Sequence, residues 1–421
     1  AKPAGHAAVA LMPRGSRNGT HVMHRLARLA TLLFALPGIA HAVQVCNIGG
    51  QPVNPSNGNT TAGKTGLMRC LDGEGGPLLR EQEIRNGVFM GVVRYYRVGV
   101  LHREYQVNER GNRDGISREF AASGGGTNRL LREETLVDST TVGRSRSWHA
   151  DGKLKRVSFH DDKGRELAMA GFTPQGLLSE LRCADRPLLA PDADDASLCG
   201  HQGGKPATVL LHSDSGVLRA RMSYERGERR SSELLWESGK VREQQEVGAL
   251  GGVERSFSAD GVKRRELHWV RAADDPRTRR ITTLEQEFHE SGSLVRERRF
   301  RTTERATERG GELQLEQTWY LNGQPKDKSE FLTLENQAAR RDTRYHDNGR
   351  VAFTGLWLIT PRNGTQASGV HSHFDAAGRL RHERHHDPRG RVSRERELDE
   401  SGRVLRDDEV FEDGSRKAFS R

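Results

Sequence analysis

Two stretches of this sequence match patterns that do chemistry in other contexts. The first is GNTTAGKT, residues 58–65, a literal G-x-x-x-x-G-K-[ST] phosphate loop. Such a loop holds nucleotide only between a buried strand and a helix whose N-terminal amides face the phosphates, with its lysine on the terminal phosphates and its hydroxyl on Mg²⁺. Here Pro52 and Pro55 stand where the strand should be, and GLMRCLDGEGG follows, with three more glycines before a helix could complete three turns. No acidic metal partner accompanies it; the nearest, Asp214, ends VLLHSD beside a turn. The segment reads as a Gly/Thr-rich surface loop, and neither nucleotide nor any other cofactor is expected.

The second is HERHH, residues 382–386, a literal H-E-x-x-H. On a helix, His382 and His386 would bind zinc and Glu383 would act as general base, which makes a zinc-dependent hydrolase one alternative reading. Asp387-Pro388 follows at once, however, and a strand would hold the two histidines too far apart to share an ion. His371 and His373 are better spaced on one strand face, but no third ligand accompanies them and neighbouring arginines repel a cation. The bland reading is a solvated face in a His- and Arg-rich repeat. Among the Arg-rich runs, RERRFRTTER (296–305) has the composition of a phosphate-contacting surface. Glutamates alternate with its arginines, so cross-strand Glu–Arg pairing on an exposed sheet explains it as well, and nucleic acid is not expected as a partner. Trp148, Trp236, Trp269, Trp319 and Trp357 are expected to pack at the aromatic positions of hairpins, with glycan stacking as the alternative. There is no G-x-S-x-G, and the expectation is a protein that is not an enzyme.

Export bounds what surrounds these groups. The first 42 residues carry no acidic side chain, and from Met23 they read MHRLARLATLLFALPGIAHA. That is a basic segment (Arg25, Arg28), an apolar run over 32–39 and the small-x-small site Ala40-His41-Ala42, the pattern of a secretory signal cleaved before Val43. Residues 1–22 then read as an upstream extension. The apolar run is shorter than the ~20 residues a spanning helix needs. Setting aside Lys2, Arg14, Arg17, Arg25 and Arg28 leaves 62 basic residues against 57 acidic, a formal charge of +5 in place of +10. A strongly basic, nucleic-acid-binding chain is therefore not indicated. A periplasmic or secreted location makes the four cysteines readable as disulfides. Of three pairings the local ones are favoured, Cys46 with Cys70 and Cys183 with Cys199, the second closing the Pro- and Asp-rich loop ADRPLLAPDADDASL.

Only 34% of residues are hydrophobic and 29% are charged, too lean for one thick core. The apolar residues instead recur in a fixed grammar. GVHSHFDAAGRL (369–380) and GRSRSWHADGKL (143–154) share a glycine, an aromatic five residues on, a glycine four further and a leucine two further. The aromatic and turn glycine recur as Tyr95/Gly99, Phe120/Gly124, Trp148/Gly152, Phe172/Gly176, Phe257/Gly261, Phe288/Gly292, Tyr345/Gly349 and Phe374/Gly378. Looser copies place Leu398 before Gly402 and Val404, and His386 before Gly390 and Val392. Asp-Gly and Asn-Gly steps supply the positive φ of a tight turn, so the aromatic before it and the aliphatic after it should face each other on adjoining strands. Each hairpin can cover only one face with apolar side chains, so stacked hairpins are expected to cover each other. Few stretches read as helix; 329–341 is the candidate, with Ser329 as N-cap against the unfavourable Thr333 and Asn336.

The copies RYHDNGRVAFTGLW (344–357) and GVVRYYRVGVLHREY (91–105) resemble the variant MORN repeats of the YwqK-type antitoxin family. The likeness covers most of the chain from about residue 87 onward. FDAAGRLRHERHHDPRGRVSRERELDESGRV, near the C-terminus, is also similar to YD/RHS repeats, the second choice. The antitoxin role is intracellular whereas the leader points outward, so what the resemblance implies is a β-hairpin array that binds through an exposed face. The expected protein is all-β: repeated hairpins in an extended twisted sheet or ribbon behind a small disulfide-tied module at 43–86. Repeat blocks at 87–180 and 206–421 flank a disulfide loop at 181–205. The expected function is an exported protein-binding scaffold, antitoxin- or immunity-like, with an envelope surface of anionic lipid or glycan as the alternative partner.

Overall fold

The computed structural model describes residues 44–121, 128–273, 279–302, 311–360 and 364–419. The signal segment and Gly124 lie outside these residues. The described chain is all-β and antiparallel, in two open sheets. A 12-stranded sheet runs from Gln44–Ile48 to Leu178–Arg182, and a 17-stranded sheet from Ala207–His212 to Arg416–Ala418. Apart from the first three strands, the strands of each sheet lie in sequence order and each pairs with its neighbours in the chain, as a meander of hairpins must.

Local turn chemistry produces this order. In 399–403 the Asp399 N–H donates to Arg403 O at 2.9 Å and the Gly402 N–H to Asp399 O at 3.1 Å, with Gly402 at φ +83°. This is a type I turn followed by a left-handed residue that forms a bulge, and only glycine enters that conformation at no steric cost. The same closure recurs from 108–112 to 411–415. Gly152, Gly176, Gly261, Gly292, Gly349 and Gly378 hold the place of Gly402 in their own turns. Their N–H groups donate to the carbonyls of His149, Thr173, Ser258, His289, His346 and Asp375 in that order, and their φ angles run from +80° at Gly349 to +93° at Gly261.

A subset of turns adds a D-x-x-G-R clip: Asp161, Asp375, Asp387 and Asp399 each accept from the arginine four residues on, Arg165, Arg379, Arg391 and Arg403. The Asp399 carboxyl is held at about 2 by Ser401, by the Arg403 backbone and side chain and by the Ser401 backbone. A Cβ on Gly402 would meet nothing within 4 Å, so Gly402→Ala isolates the backbone term. It is expected to cost about 1 kcal/mol, read as a shift in urea midpoint.

The three-residue loop sets which side chains face each other. Trp148 pairs with Leu154, Phe172 with Leu178, Phe288 with Leu294, Tyr345 with Val351 and Phe374 with Leu380 across their turns, while Phe257 meets Lys263. At Tyr95 the structure departs from the sequence grammar. Val98-Gly99 is a two-residue turn with both φ positive, so Leu101 faces Tyr96, and Tyr95 pairs with Arg103 and stacks on Tyr105 at 6.1 Å. Phe120 pairs with Leu130.

The helix expected at 329–341 is not formed. Pro325–Leu334 and Gln337–Tyr345 are paired strands around a Glu335-Asn336 turn at φ +47° and +66°. Helix propensity loses here to the ladders that both strands make with Glu312–Trp319 and Val351–Thr360. The hairpins also do not cover one another as stacked layers. Strands pack chiefly on their sheet neighbours.

Fully buried apolar residues form small clusters. One, with Cys46, Ile48, Val53, Met68, Cys70 and Ile84, surrounds the Cys46–Cys70 disulfide, which joins two directly paired residues. Two others meet where the sheets end. Leu178 and Leu181 of the last strand in the first sheet pack against Val209, Leu211 and Tyr224 of the second. The Cys183–Cys199 loop lies against the same junction, burying Leu189 and Asp195. Both disulfides join the locally paired cysteines and belong to an oxidising, extracellular or periplasmic environment.

Candidate functional site

Residues paired across strands share a face. One such row on the second sheet runs Leu267, Glu285, Arg298, Glu316, Ser329, Asp342, Gly355. It is largely polar and yet partly buried: Glu285 is 9% exposed and Asp342 8%. Glu285 accepts from Arg265 at 2.6 Å and from Arg298, and Asp342 from Ser329 at 2.8 Å and Arg340 at 2.9 Å. In the Arg-rich run Arg296 is paired with Glu316, Arg298 with Glu285 and Arg299 with Glu297. Arg305 lies outside the described residues.

Next to Gly355 the polar row gives way to a histidine–aromatic patch on the same face. Phe353 pairs with His373, which pairs with His382. The His371 ring sits 4.7 Å from Trp357, 5.7 Å from Phe353 and 4.3 Å from His386, and His371 Nε2 donates to Leu356 O at 2.8 Å. Gly355 makes this packing available: a Cβ there would stand 2.6 Å from Phe353 Cζ and 3.1 Å from His371 Cδ2. Of the other tryptophans, Trp269 is buried over Gly252, Trp236 occupies a turn, and Trp148 and Trp319 end strands beside turns.

The repeat glycines stand apart from this face. Gly99, Gly152, Gly176, Gly261, Gly292, Gly349 and Gly378 lie in turns between strands, outside the paired positions that make up the row and the patch. They close hairpins and set register, and they bring no side chain to the site. The glycine that shapes the patch is Gly355, within the strand Val351–Thr360, a position that the turn grammar does not mark.

Burial holds His373 and His386 below the ordinary imidazole range. For His373 the charges of His382, Arg384 and Arg344 add to the effect, and for His386 that of His371. A base whose folded pKa is depressed stabilises the fold fully above its unfolded value of about 6.5 and loses that contribution as pH falls through the folded value. Melting temperature is expected to drop between pH 7.5 and 5.5, with the drop smaller in His373→Gln/His386→Gln. Glu383 and Glu395 do not confuse the reading, because both are held below the ordinary carboxylate range and stay charged across that window.

HERHH forms the strand Leu380–His386, which separates the groups of the zinc pattern. His382 faces Glu395 at 2.8 Å, whereas Glu383 turns to the other face and accepts from His385 at 2.8 Å and Arg396 at 3.3 Å. His386 stacks on His371 instead of joining His382. Among the described residues no group of three or more His, Cys, Asp or Glu side chains is placed to hold a metal ion. GNTTAGKT forms a single helical turn, Gly58–Thr61, capped by Asn57, and the strand Gly66–Asp72 follows where a phosphate loop would continue as a helix.

The residue that organises the patch's far side, Glu395, is marked by no sequence pattern. It is 3% exposed and accepts from His382, Arg384 at 2.9 Å, Arg406 at 3.3 Å and Arg416. Burial raises its pKa, but the hydrogen bonds from Arg384, Arg416 and His382 outweigh this and bring it to about 2. The D-x-x-G-R clips also escape a grammar built on aromatics and glycines, although DDKGR, DAAGR, DPRGR and DESGR stand plainly in the sequence.

No family model and no curated protein matches this chain. Among solved structures it is similar to a chain in the crystal structure of TcdB2-TccC3-Cdc42, at 9% identity over 84% of this chain, with a TM-score of 0.17. A second match is to TcdB2-TccC3 without its hypervariable C-terminal region, also at 9% identity over 84% of this chain, with a TM-score of 0.15. The chain spans about a fifth of the length of those chains, 20% in both cases. At such scores the likeness carries no argument about this protein.

Proposed function

We propose that this chain is a non-enzymatic, exported repeat protein that binds a protein partner through the face of its second sheet. The observation that carries the reading is the continuous row from Leu267 to Gly355 ending in the Trp357/His371/His386 patch. Its charges are locked in place by cross-strand partners, and its aromatic groups are packed in fixed positions, so the face is organised before any partner arrives. Aromatic and arginine side chains side by side are what protein interfaces favour. The resemblance of the repeats to those of the YwqK-type antitoxins supports an immunity-like scaffold, and the two disulfides suit a partner outside the cytoplasm.

The test is capture from a native envelope fraction by the oxidised chain beginning at Val43, washed at low and then high salt. The expected result is one protein retained near equimolar through high salt and lost in Trp357→Ala. A heterogeneous anionic set released by salt would overturn the proposal in favour of lipid or glycan surface binding.

A further inference from the structure

A cavity of about 290 Å³ opens on one face of the first sheet, among Thr140–Trp148, Leu154–His160 and their neighbours. Cross-strand register builds it. Arg132 and Arg156 both pair with Ser147, Ser158 pairs with Ser145, and His160 pairs with Glu166. The volume is near the lower end of small-molecule sites and well beyond what one water fills.

Serines and charged side chains line it. Ser158 is 4% exposed, lines the cavity, and its hydroxyl has no hydrogen-bond partner among the described residues. His160 Nδ1 is buried and has none either. Ser145 and Ser147 line it beside them, and their hydroxyls make no hydrogen bond among the described residues. The cations, by contrast, are already compensated: Arg156 binds Glu166 at 2.7 Å and Glu180 at 3.2 Å, and Arg132 binds Glu134 at 2.8 Å.

These two facts select the ligand's chemistry. An anion would meet arginines whose charge is spent on carboxylates, so it gains little Coulomb attraction. An apolar ligand would leave three hydroxyls without partners, at a cost for each. A neutral polyhydroxyl compound satisfies them, because hydroxyls both donate and accept. The adjacent Arg156–Glu166 pair offers a donor and an acceptor side by side, the arrangement that two neighbouring ligand hydroxyls can engage together. We infer that this cavity binds a neutral sugar unit, independently of the protein-binding face on the other sheet.

The experiment is saturation-transfer NMR on the full oxidised chain with glucose, galactose, mannose and N-acetylglucosamine in turn, and with inorganic phosphate followed by ³¹P line width. At least one sugar is expected to receive saturation, with phosphate unaffected. Titration should show about tenfold weaker binding in Ser158→Val, which replaces the buried hydroxyl with methyl groups. If Ser158→Val does not fold, Ser145→Ala/Ser147→Ala carries the same expectation. Absence of transfer to all four sugars, equal affinity in the folded variants, or binding of phosphate alone overturns the assignment. Protein capture by the second sheet is expected to be unchanged in these variants, so the two proposals fail separately.

Discussion

Gly227→Ala is expected to destabilise the protein by about 4 kcal/mol, roughly four times the effect of Gly402→Ala, although both glycines sit in hairpin turns at φ near +80°. The difference lies in what surrounds them. Gly402 is open, whereas a Cβ on Gly227 would stand 1.9 Å from the Ala184 carbonyl oxygen and 3.2 Å from His201 Cε1. Gly227 ends the turn that docks on the Cys183–Cys199 loop: its N–H donates to Cys199 O at 2.8 Å, and the Arg226 N–H donates to Gly200 O at 3.0 Å. An added methyl group thus strains the left-handed backbone, meets backbone that no rotamer change can move, and breaks a hydrogen bond at the junction of the two sheets. Urea unfolding followed by far-UV circular dichroism measures the effect. A loss no larger than that of Gly402→Ala would show that the loop does not clamp the junction.

Glu395→Gln is expected to cost about 3 kcal/mol at neutral pH. Three arginines, from the strands Leu380–His386, Val404–Val410 and Arg416–Ala418, converge with His382 on this one carboxylate, and an amide would leave the guanidinium groups mutually repelling around a neutral group. The arginine side chains are between 39% and 48% exposed, so water relieves part of the cost. The pH dependence separates this from a simple packing defect. With a folded pKa of about 2, Glu395 contributes its full stability above the ordinary carboxylate value of 4.5, and that contribution disappears as pH falls toward 2. The gap between the native protein and Glu395→Gln should therefore be constant from pH 7 to 5 and close below it. A gap that persists at pH 2.5 would mean the variant fails through lost packing.

How far the sequence can be read depends on the range of the interactions concerned. Turn positions such as Gly152 and Gly349 are legible because a glycine in a left-handed bulge is a local requirement that its own few neighbours satisfy. The two-residue turn at Val98-Gly99 is not, since a β-branched residue at φ +52° runs against its own preference. Nothing in residues 329–341 announces that two strands waiting on either side will take them, and the weak helix reading fails for that reason. Glu395 is invisible because its arginines are 11 and 21 residues away, among dozens of similar ones, and only register says which of them meet it.

By itself the sequence determined the class of the fold, the hairpin repeat and the two local disulfides. Each of these follows from interactions within about twenty-five residues, where chain connectivity already brings the partners together. Tertiary structure alone decided which charges are paired, how the H-E-x-x-H groups divide between faces, and where an unpartnered serine is buried. The physical reason is the period of two in a strand: a single bulge or a one-residue change in loop length moves a side chain to different neighbours, and those shifts accumulate across the sheet.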